Sequence, residues 1–150
     1  MDKKVVLVVD DTSMYLRTVK IALEKHFDVR LAKSGEIALS ILGATEVDAI
    51  LLDIDMPGMS GFETLEMIRK LPNAVDTPVI FVTSHVTTEL IELALKKGAK
   101  DYVMKPFEPD ILLRKVFAAA NGVGVKHVFI TKDGRCFIAP SNDITGVSAV

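Results

Sequence analysis

Cysteine is almost missing from this chain, with only Cys136 among 150 residues, so no internal disulfide framework can staple the fold. Nothing resembles a secretory leader, because Met1-Asp2-Lys3-Lys4 runs straight into a short strand-like segment. No apolar stretch comes near the ~20 residues that a membrane-spanning helix needs. An excess of positive charge is also lacking: 18 Lys and Arg against 20 Asp and Glu leave a formal net charge of −2, which argues against nucleic-acid binding through a broad basic surface. Internal repeats and low-complexity segments are absent. These absences together lead us to expect a reducing, cytoplasmic setting, with no membrane and no direct nucleic-acid partner. What is present is ordinary globular material, 49% hydrophobic and 25% charged. A chain of this length can fold around one core and bury roughly two thirds of its unfolded surface.

Strand-like and helix-like runs alternate five times, which is the pattern of an α/β domain with a parallel sheet. The strands are expected at about 4–9, 27–31, 48–52, 78–82 and 101–103. The first, third and fourth are almost wholly apolar, as central strands covered on both faces should be. Between the strands, four stripes recur at helical spacing: Tyr15, Val19, Ala22 and Leu23; Ile37, Ala38, Ile41 and Leu42; Phe62, Leu65 and Ile68; Leu90, Leu93 and Ala94. Ser60-Gly61-Phe62-Glu63 predicts a capping box at the start of the third helix. The fourth helix should end near Gly98. Pro109 suits the first turn of a fifth, with Leu112, Val116 and Ala119 facing inward.

Acidic residues stand at the ends of these strand-like runs. Asp10 and Asp11 follow Val5 to Val9, Asp53 follows Ala49 to Leu52, and Lys105 follows Tyr102 to Met104. In an open parallel sheet, ligands bind beyond the carboxyl ends of the strands, so one site can hold these residues together with Thr83. Crowded carboxylates repel and shift one another's pKa unless a cation joins them, which points to Mg2+ and a reactive aspartate. Each residue has a plainer reading on its own. Asp10 and Asp11 could cap the first helix, Asp53 could be a solvated loop acid, and Asp55-Met56-Pro57-Gly58 looks like an ordinary turn. Thr83 could be a strand-end hydroxyl and Lys105 an exposed cation. Their joint placement favours the site.

From about Lys4 to Ala120 the chain resembles the receiver domain of two-component response regulators. The resemblance is carried by Val9-Asp10-Asp11, by Leu51-Leu52-Asp53-Ile54-Asp55-Met56-Pro57-Gly58-Met59-Ser60-Gly61, and by Val82-Thr83-Ser84. It continues through Gly98-Ala99-Lys100-Asp101-Tyr102 and Lys105-Pro106-Phe107. It implies a doubly wound, flavodoxin-like α/β fold whose five-stranded parallel sheet has the order 2-1-3-4-5. The receiver domain is expected over 1–121, and the residues beyond it, 122–150, form an extension on which the resemblance gives no guide.

Carried over residue by residue, the resemblance makes Asp53 the phosphoacceptor. Asp11, Asp53 and the main-chain carbonyl of Asp55 would ligate Mg2+, with Asp10 acting mainly through water. Lys105 would pair with Asp53 and then with a phosphoryl oxygen, and Thr83 would hydrogen-bond another. Tyr102 would be the rotating aromatic coupled to Thr83, and the Lys105-Pro106 peptide would be cis. His85, two residues past Thr83, would sit over the phosphorylation site. The partners implied are a sensor histidine kinase or phosphotransfer protein and a downstream protein target reached through the fourth helix, fifth strand and fifth helix. The resemblance further implies self-catalysed phosphoryl uptake and autodephosphorylation, with no external substrate turned over.

Two other classes compete. Asp53-Ile54-Asp55 also resembles the paired aspartates of haloacid-dehalogenase-type phosphatases, although those lie on a first strand and need further acids and often a cap domain. A flavodoxin-like binding module would want hydroxyl and amide donors after the first strand, where Asp10 and Asp11 would repel a flavin phosphate.

After Asn121-Gly122 the composition changes. Val125 to Thr131 and Cys136 to Ala139, joined by Lys132-Asp133-Gly134-Arg135, predict a β-hairpin over 125–139 with Asp133-Gly134 at its turn. Pro140 to Val150 has no clear periodicity. An isolated hairpin is marginal in water. The extension is therefore expected to dock on this domain, to dock on a second copy as a homodimer, or to begin an output region.

Overall fold

The computed structural model describes residues 3–122 in full, and only the backbone of 126–130, 136–140 and 148–149. Strands and helices alternate as β1 (Lys4–Val9), α1 (Ser13–Leu23), β2 (Phe27–Ala32), α2 (Gly35–Ala44), β3 (Ala49–Asp53), α3 (Gly61–Ile68), β4 (Val79–Thr83), α4 (Thr88–Lys96), β5 (Asp101–Met104) and α5 (Pro109–Ala120). The five strands are parallel in the order β2-β1-β3-β4-β5, which is the doubly wound arrangement expected.

Alternation along the central strands feeds two cores. Leu7, Val9, Ile50, Leu52, Val79 and Phe81 point to one side, against Ala38, Leu42, Leu65 and Ile68 of α2 and α3. Val6, Val8, Leu51, Ile80 and Val82 point to the other, against Leu16, Val19, Leu23, Leu112 and Val116 of α1 and α5. Each of the larger side chains contributes about 1.5–3 kcal/mol by leaving water, so the strand ends are carried on a rigid platform.

The helices differ in how firmly they are held. In α1 the buried positions are Leu16, Val19 and Leu23, while Tyr15 of the expected stripe is only half-buried. In α2, Ala38 and Leu42 are buried but Ile37 faces solvent. The capping box forms as expected: Glu63 N–H donates to Ser60 Oγ and Ser60 N–H to Glu63 Oε1, each at 3.2 Å. The stripe of α4 is weaker than its periodicity suggests, because Ala94 alone is buried and Leu93 is exposed. The turn after that helix closes at Gly98, whose φ of 100° lies in the region that disfavours side chains.

Strands β2 to β5 each end one residue later than expected, and at two of them this moves a site residue into the strand. Asp53 and Thr83 are the last residues of β3 and β4 rather than the first residues beyond them. The reason is register: Asp53 pairs with Val82 and Thr83 with Met104, so the ladders extend one step further.

Beyond α5, β6 (Lys126–Ile130), β7 (Cys136–Pro140) and β8 (Ser148–Ala149) form a separate antiparallel sheet in the order β6-β7-β8. The expected hairpin is thus present as β6 and β7, and the stretch expected to lack pattern supplies a short third strand. The expected Asp133-Gly134 turn lies outside the described residues.

One glycine ties fold to site. A Cβ on Gly61 would overlap the Asp53 carbonyl oxygen and stand 2.7 Å from Ile54 Cα, and the Gly61 N–H donates to Ile54 O at 2.9 Å. Backbone lies on the far side, so no rotamer change can make room. Gly61→Ala should therefore cost about 1–3 kcal/mol in urea unfolding, as other overpacked sites do. Gly43→Ala, where the added methyl meets open space, should instead gain about 0.5 kcal/mol. Equal effects of the two substitutions would refute the close-approach argument.

Candidate functional site

The carboxyl ends of β1, β3, β4 and β5 bring Asp10, Asp11, Asp53, Thr83 and Lys105 to one edge of the sheet. Asp10, Asp53, Thr83 and Lys105 are buried, whereas Asp11 is exposed at the mouth. One carboxylate oxygen from each of Asp10, Asp11 and Asp53 lies within 4.8 Å of the other two, and this is the acidic group found among the described residues. Three hard oxygen donors in that space, one of them open to solvent, fit a small divalent cation that retains water. The donor set therefore suits Mg2+.

Lys105 reaches into the cluster from just past β5. Its Nζ donates to Asp10 Oδ2 at 2.6 Å and stands 3.5 Å from Asp53 Oδ2. The expected pairing with Asp53 is present, but the tighter bond goes to Asp10. Asp10 Oδ1 accepts from Thr12 N–H at 2.9 Å, which fixes that carboxylate in a turn. The helix cap of α1 is Thr12, so the acidic pair does not serve as the cap. A third group meets the ammonium: the Tyr15 ring centroid is 4.1 Å from Lys105 Nζ.

The Asp53 carboxyl is pushed up to about 6 from an ordinary value of 3.8. Burial is the main cause and the Asp10 charge the next; Lys105 and the Asp55 N–H act in the opposite direction, and Asp11 adds a smaller upward push. A carboxylate strained in this way is stabilised by any cation brought to it.

Asp55 does not add a fourth carboxylate to the cluster. Its N–H donates to Asp53 Oδ1 at 3.3 Å, while its side chain turns outward and lies 3.0 Å from His85 Nδ1. His85 is joined to the site through Asp55. Its own N–H donates to Thr83 Oγ1 at 3.1 Å. Thr83, Tyr102, Phe81 and Ile54 line a narrow apolar cleft of about 10 Å³, to which α4 contributes Leu90 and Ala94. Tyr102 is half-buried there, and Lys115 Nζ lies 5.1 Å from its ring centroid. The Lys105-Pro106 peptide is cis, as expected.

Tyr15 was not legible as a site residue, and neither was the contact between Asp55 and His85. Helical spacing assigned Tyr15 to a buried stripe; the available signal was an aromatic residue four positions after an acidic pair, in the first turn of the helix that follows it. The Asp55–His85 pair joins two loops that are distant in sequence and carry no shared motif.

The fold and its acidic edge define a doubly wound α/β domain with a candidate divalent-cation site, and comparison with known proteins makes the family specific. Residues 6–117 match the family described as response regulator receiver domain. The chain belongs to that family and is a receiver domain of two-component signal transduction. It is 35% identical over 120 residues to the nitrate/nitrite response regulator NarL of Escherichia coli, covering 78% of this chain and 55% of that one. It is 34% identical over 129 residues to the E. coli signal transduction histidine kinase BarA, covering 85% and 14%. A probable cyclic di-GMP phosphodiesterase of Vibrio cholerae is 33% identical over 128 residues, with 85% and 29% covered. The chain thus spans between 14% and 55% of these relatives' lengths.

Among solved structures, the chemotaxis protein CheY4 of V. cholerae superposes with a TM-score of 0.75 at 29% identity, covering 78% of this chain and 98% of that one. The receiver domain of a Pseudomonas aeruginosa sensor histidine kinase, with magnesium coordinated in its active-site cleft, gives a TM-score of 0.73 at 26% identity, covering 79% and 98%. The phosphatase and flavodoxin-like readings gain no support. The outward turn of the Asp55 carboxylate also removes the second acid that the phosphatase reading requires.

Asp53 links the site to stability. Between 3.8 and about 6 the folded protein holds a proton that the unfolded chain has released, so stability falls as pH rises through that window. In Mg2+-free buffer, Asp53→Asn should be more stable than the parent at pH 7 by about 1–3 kcal/mol. The advantage should shrink as pH falls toward 4. A difference that stays constant across this range in chemical denaturation would show that the Asp53 charge is not the cause.

Proposed function

We propose that Asp53 is the phosphoacceptor, receiving a phosphoryl group from a phosphohistidine of a sensor histidine kinase or phosphotransfer protein. The observation that carries this reading is a buried aspartate 3.5 Å from a buried lysine, inside a carboxylate cluster sized for a divalent cation. An Asp53 oxygen would form a bond to phosphorus as the phosphorus–nitrogen bond of the donor breaks, and the electron pair would leave on the imidazole. Asp11, Asp53 and the main-chain carbonyl of Asp55 would hold Mg2+ directly, and Asp10 through water. Bound there, the cation supplies neutralisation of charge on the transferring group.

The chain's own residues account for the remaining steps. Lys105 follows the new negative charge from Asp10 toward a phosphoryl oxygen. Thr83 exchanges the hydrogen bond that its hydroxyl donates to the His85 carbonyl oxygen, 3.3 Å at rest, for one donated to another phosphoryl oxygen, drawing its hydroxyl inward. Tyr102 then fills the space at the cleft against α4. The surface of α4, β5 and α5 is the proposed output face, read by a downstream protein. Hydrolysis of the acyl phosphate at the same site returns the domain to rest. The domain is a cytoplasmic switch and turns over no external substrate. Residues 122–150 are proposed as a distinct extension that docks on the receiver domain or on a second copy.

Intact-mass analysis after incubation with acetyl phosphate and Mg2+ tests the acceptor. Asp53→Asn should lose all labelling. Asp11→Ala should lose Mg2+-dependent labelling yet remain folded, because its side chain is exposed. Undiminished labelling of Asp53→Asn would overturn the assignment. Beryllofluoride with Mg2+ should shift amide NMR resonances across 86–118, and shifts confined to the acidic pocket would count against switching. Deletion of 123–150 should lower the mass measured by light scattering if the extension builds a dimer, or should raise amide exchange on the receiver surface if it docks within one chain.

A further inference from the structure

The Lys105 ammonium is enclosed on three sides. Asp10 takes the short hydrogen bond, Asp53 stands behind it, and the face of the Tyr15 ring covers a third direction at 4.1 Å from Nζ. The lysine side chain is 6% exposed, so this ring contact lies in a desolvated setting where a cation over an aromatic face counts most. The ring is itself braced. Phe107, two residues past Lys105, packs on it with centroids 6.4 Å apart, so α1 and the loop after β5 hold the ring from two elements.

From this geometry we infer that Tyr15 is a positioning residue for phosphoryl chemistry at Asp53, an inference that rests on the phosphoacceptor reading above. The ring face offers the ammonium an attractive surface that carries no full charge. It therefore holds Lys105 at the site without adding to the carboxylate crowding, and leaves it free to transfer from Asp10 to a phosphoryl oxygen. A third carboxylate at that position would bind the lysine too firmly to release it. An aliphatic side chain would shield it from water but not attract it. Tyr15 touches neither phosphorus nor the acceptor oxygen, and acts through Lys105.

The test compares Tyr15→Phe, which keeps the ring face, with Tyr15→Leu, which keeps bulk but loses it. In the unliganded protein, the Lys105 ε-methylene protons should show an upfield ring-current shift in the parent and in Tyr15→Phe, and lose it in Tyr15→Leu. The apparent affinity for beryllofluoride at saturating Mg2+ should fall on the order of three- to ten-fold in Tyr15→Leu, and stay within about two-fold of the parent in Tyr15→Phe. Mg2+ affinity in the absence of beryllofluoride should be the same in all three, which excludes collapse of the acidic pocket. Equal beryllofluoride affinity in Tyr15→Leu and the parent overturns the inference, as does a loss in Tyr15→Phe as large as that in Tyr15→Leu. A parent protein that binds no beryllofluoride overturns the phosphoacceptor reading and this inference with it.

Discussion

The arrangement depends on one constraint: a lysine ammonium and two aspartates share a buried space at the edge of an apolar sheet. Lys105, Asp10 and Asp53 are each less than a tenth exposed, and desolvating three charges is costly unless they compensate one another. One cation among two buried carboxylates and a third exposed one leaves a deficit of positive charge. The upward push on Asp53 comes first from its burial and then from the Asp10 charge, which Lys105 only partly offsets. A site of this kind is poised to take up a cation, and it responds strongly when its charge changes.

The fold supplies the space and confines the response. Parallel strands release their carboxyl ends at the same edge, so residues as far apart as Asp10 and Lys105 meet within hydrogen-bonding distance. The close approach at Gly61 then fixes the main chain of the acceptor loop against α3. Two packed cores hold the sheet, while α4 contributes a single buried side chain. An element with so little apolar contact moves at small free-energy cost, and it lies against the cleft lined by Thr83 and Tyr102.

Much of this was legible in the residues alone, and the parts that were not share a cause. The five strands, the cap at Ser60 and the gathering of Asp10, Asp11, Asp53, Thr83 and Lys105 follow from apolar periodicity and from motifs at strand ends, while the strand order comes from the family resemblance. Register escaped by one residue at Asp53 and Thr83, since ladder length depends on the neighbouring strand rather than on local sequence. The shallow burial of α4 was hidden because periodicity reports which face is apolar, not how closely that face packs. Side-chain partners across loops were hidden as well: nothing local says that Lys105 prefers Asp10 to Asp53, that Asp55 turns to His85, or that Tyr15 covers the ammonium.

Those unforeseen contacts have a common physical consequence. The Asp55 main chain bonds the acceptor carboxylate, its side chain meets His85, and the His85 main chain bonds the Thr83 hydroxyl, so a continuous polar path runs from the acceptor to the threonine beside α4. Its outer link is exposed and weak on its own, as surface ion pairs are. A weak link in series suits a switch better than a strong one. The Thr83 hydroxyl itself donates to the His85 carbonyl oxygen at 3.3 Å, so an acceptor competing for its proton would have to overcome only about one hydrogen bond. The strong interaction, between Lys105 and the carboxylates, is the one whose charge balance the proposed reaction changes directly. In the proposed reaction the energy would therefore enter where the coupling is strongest and be read out where resistance is least.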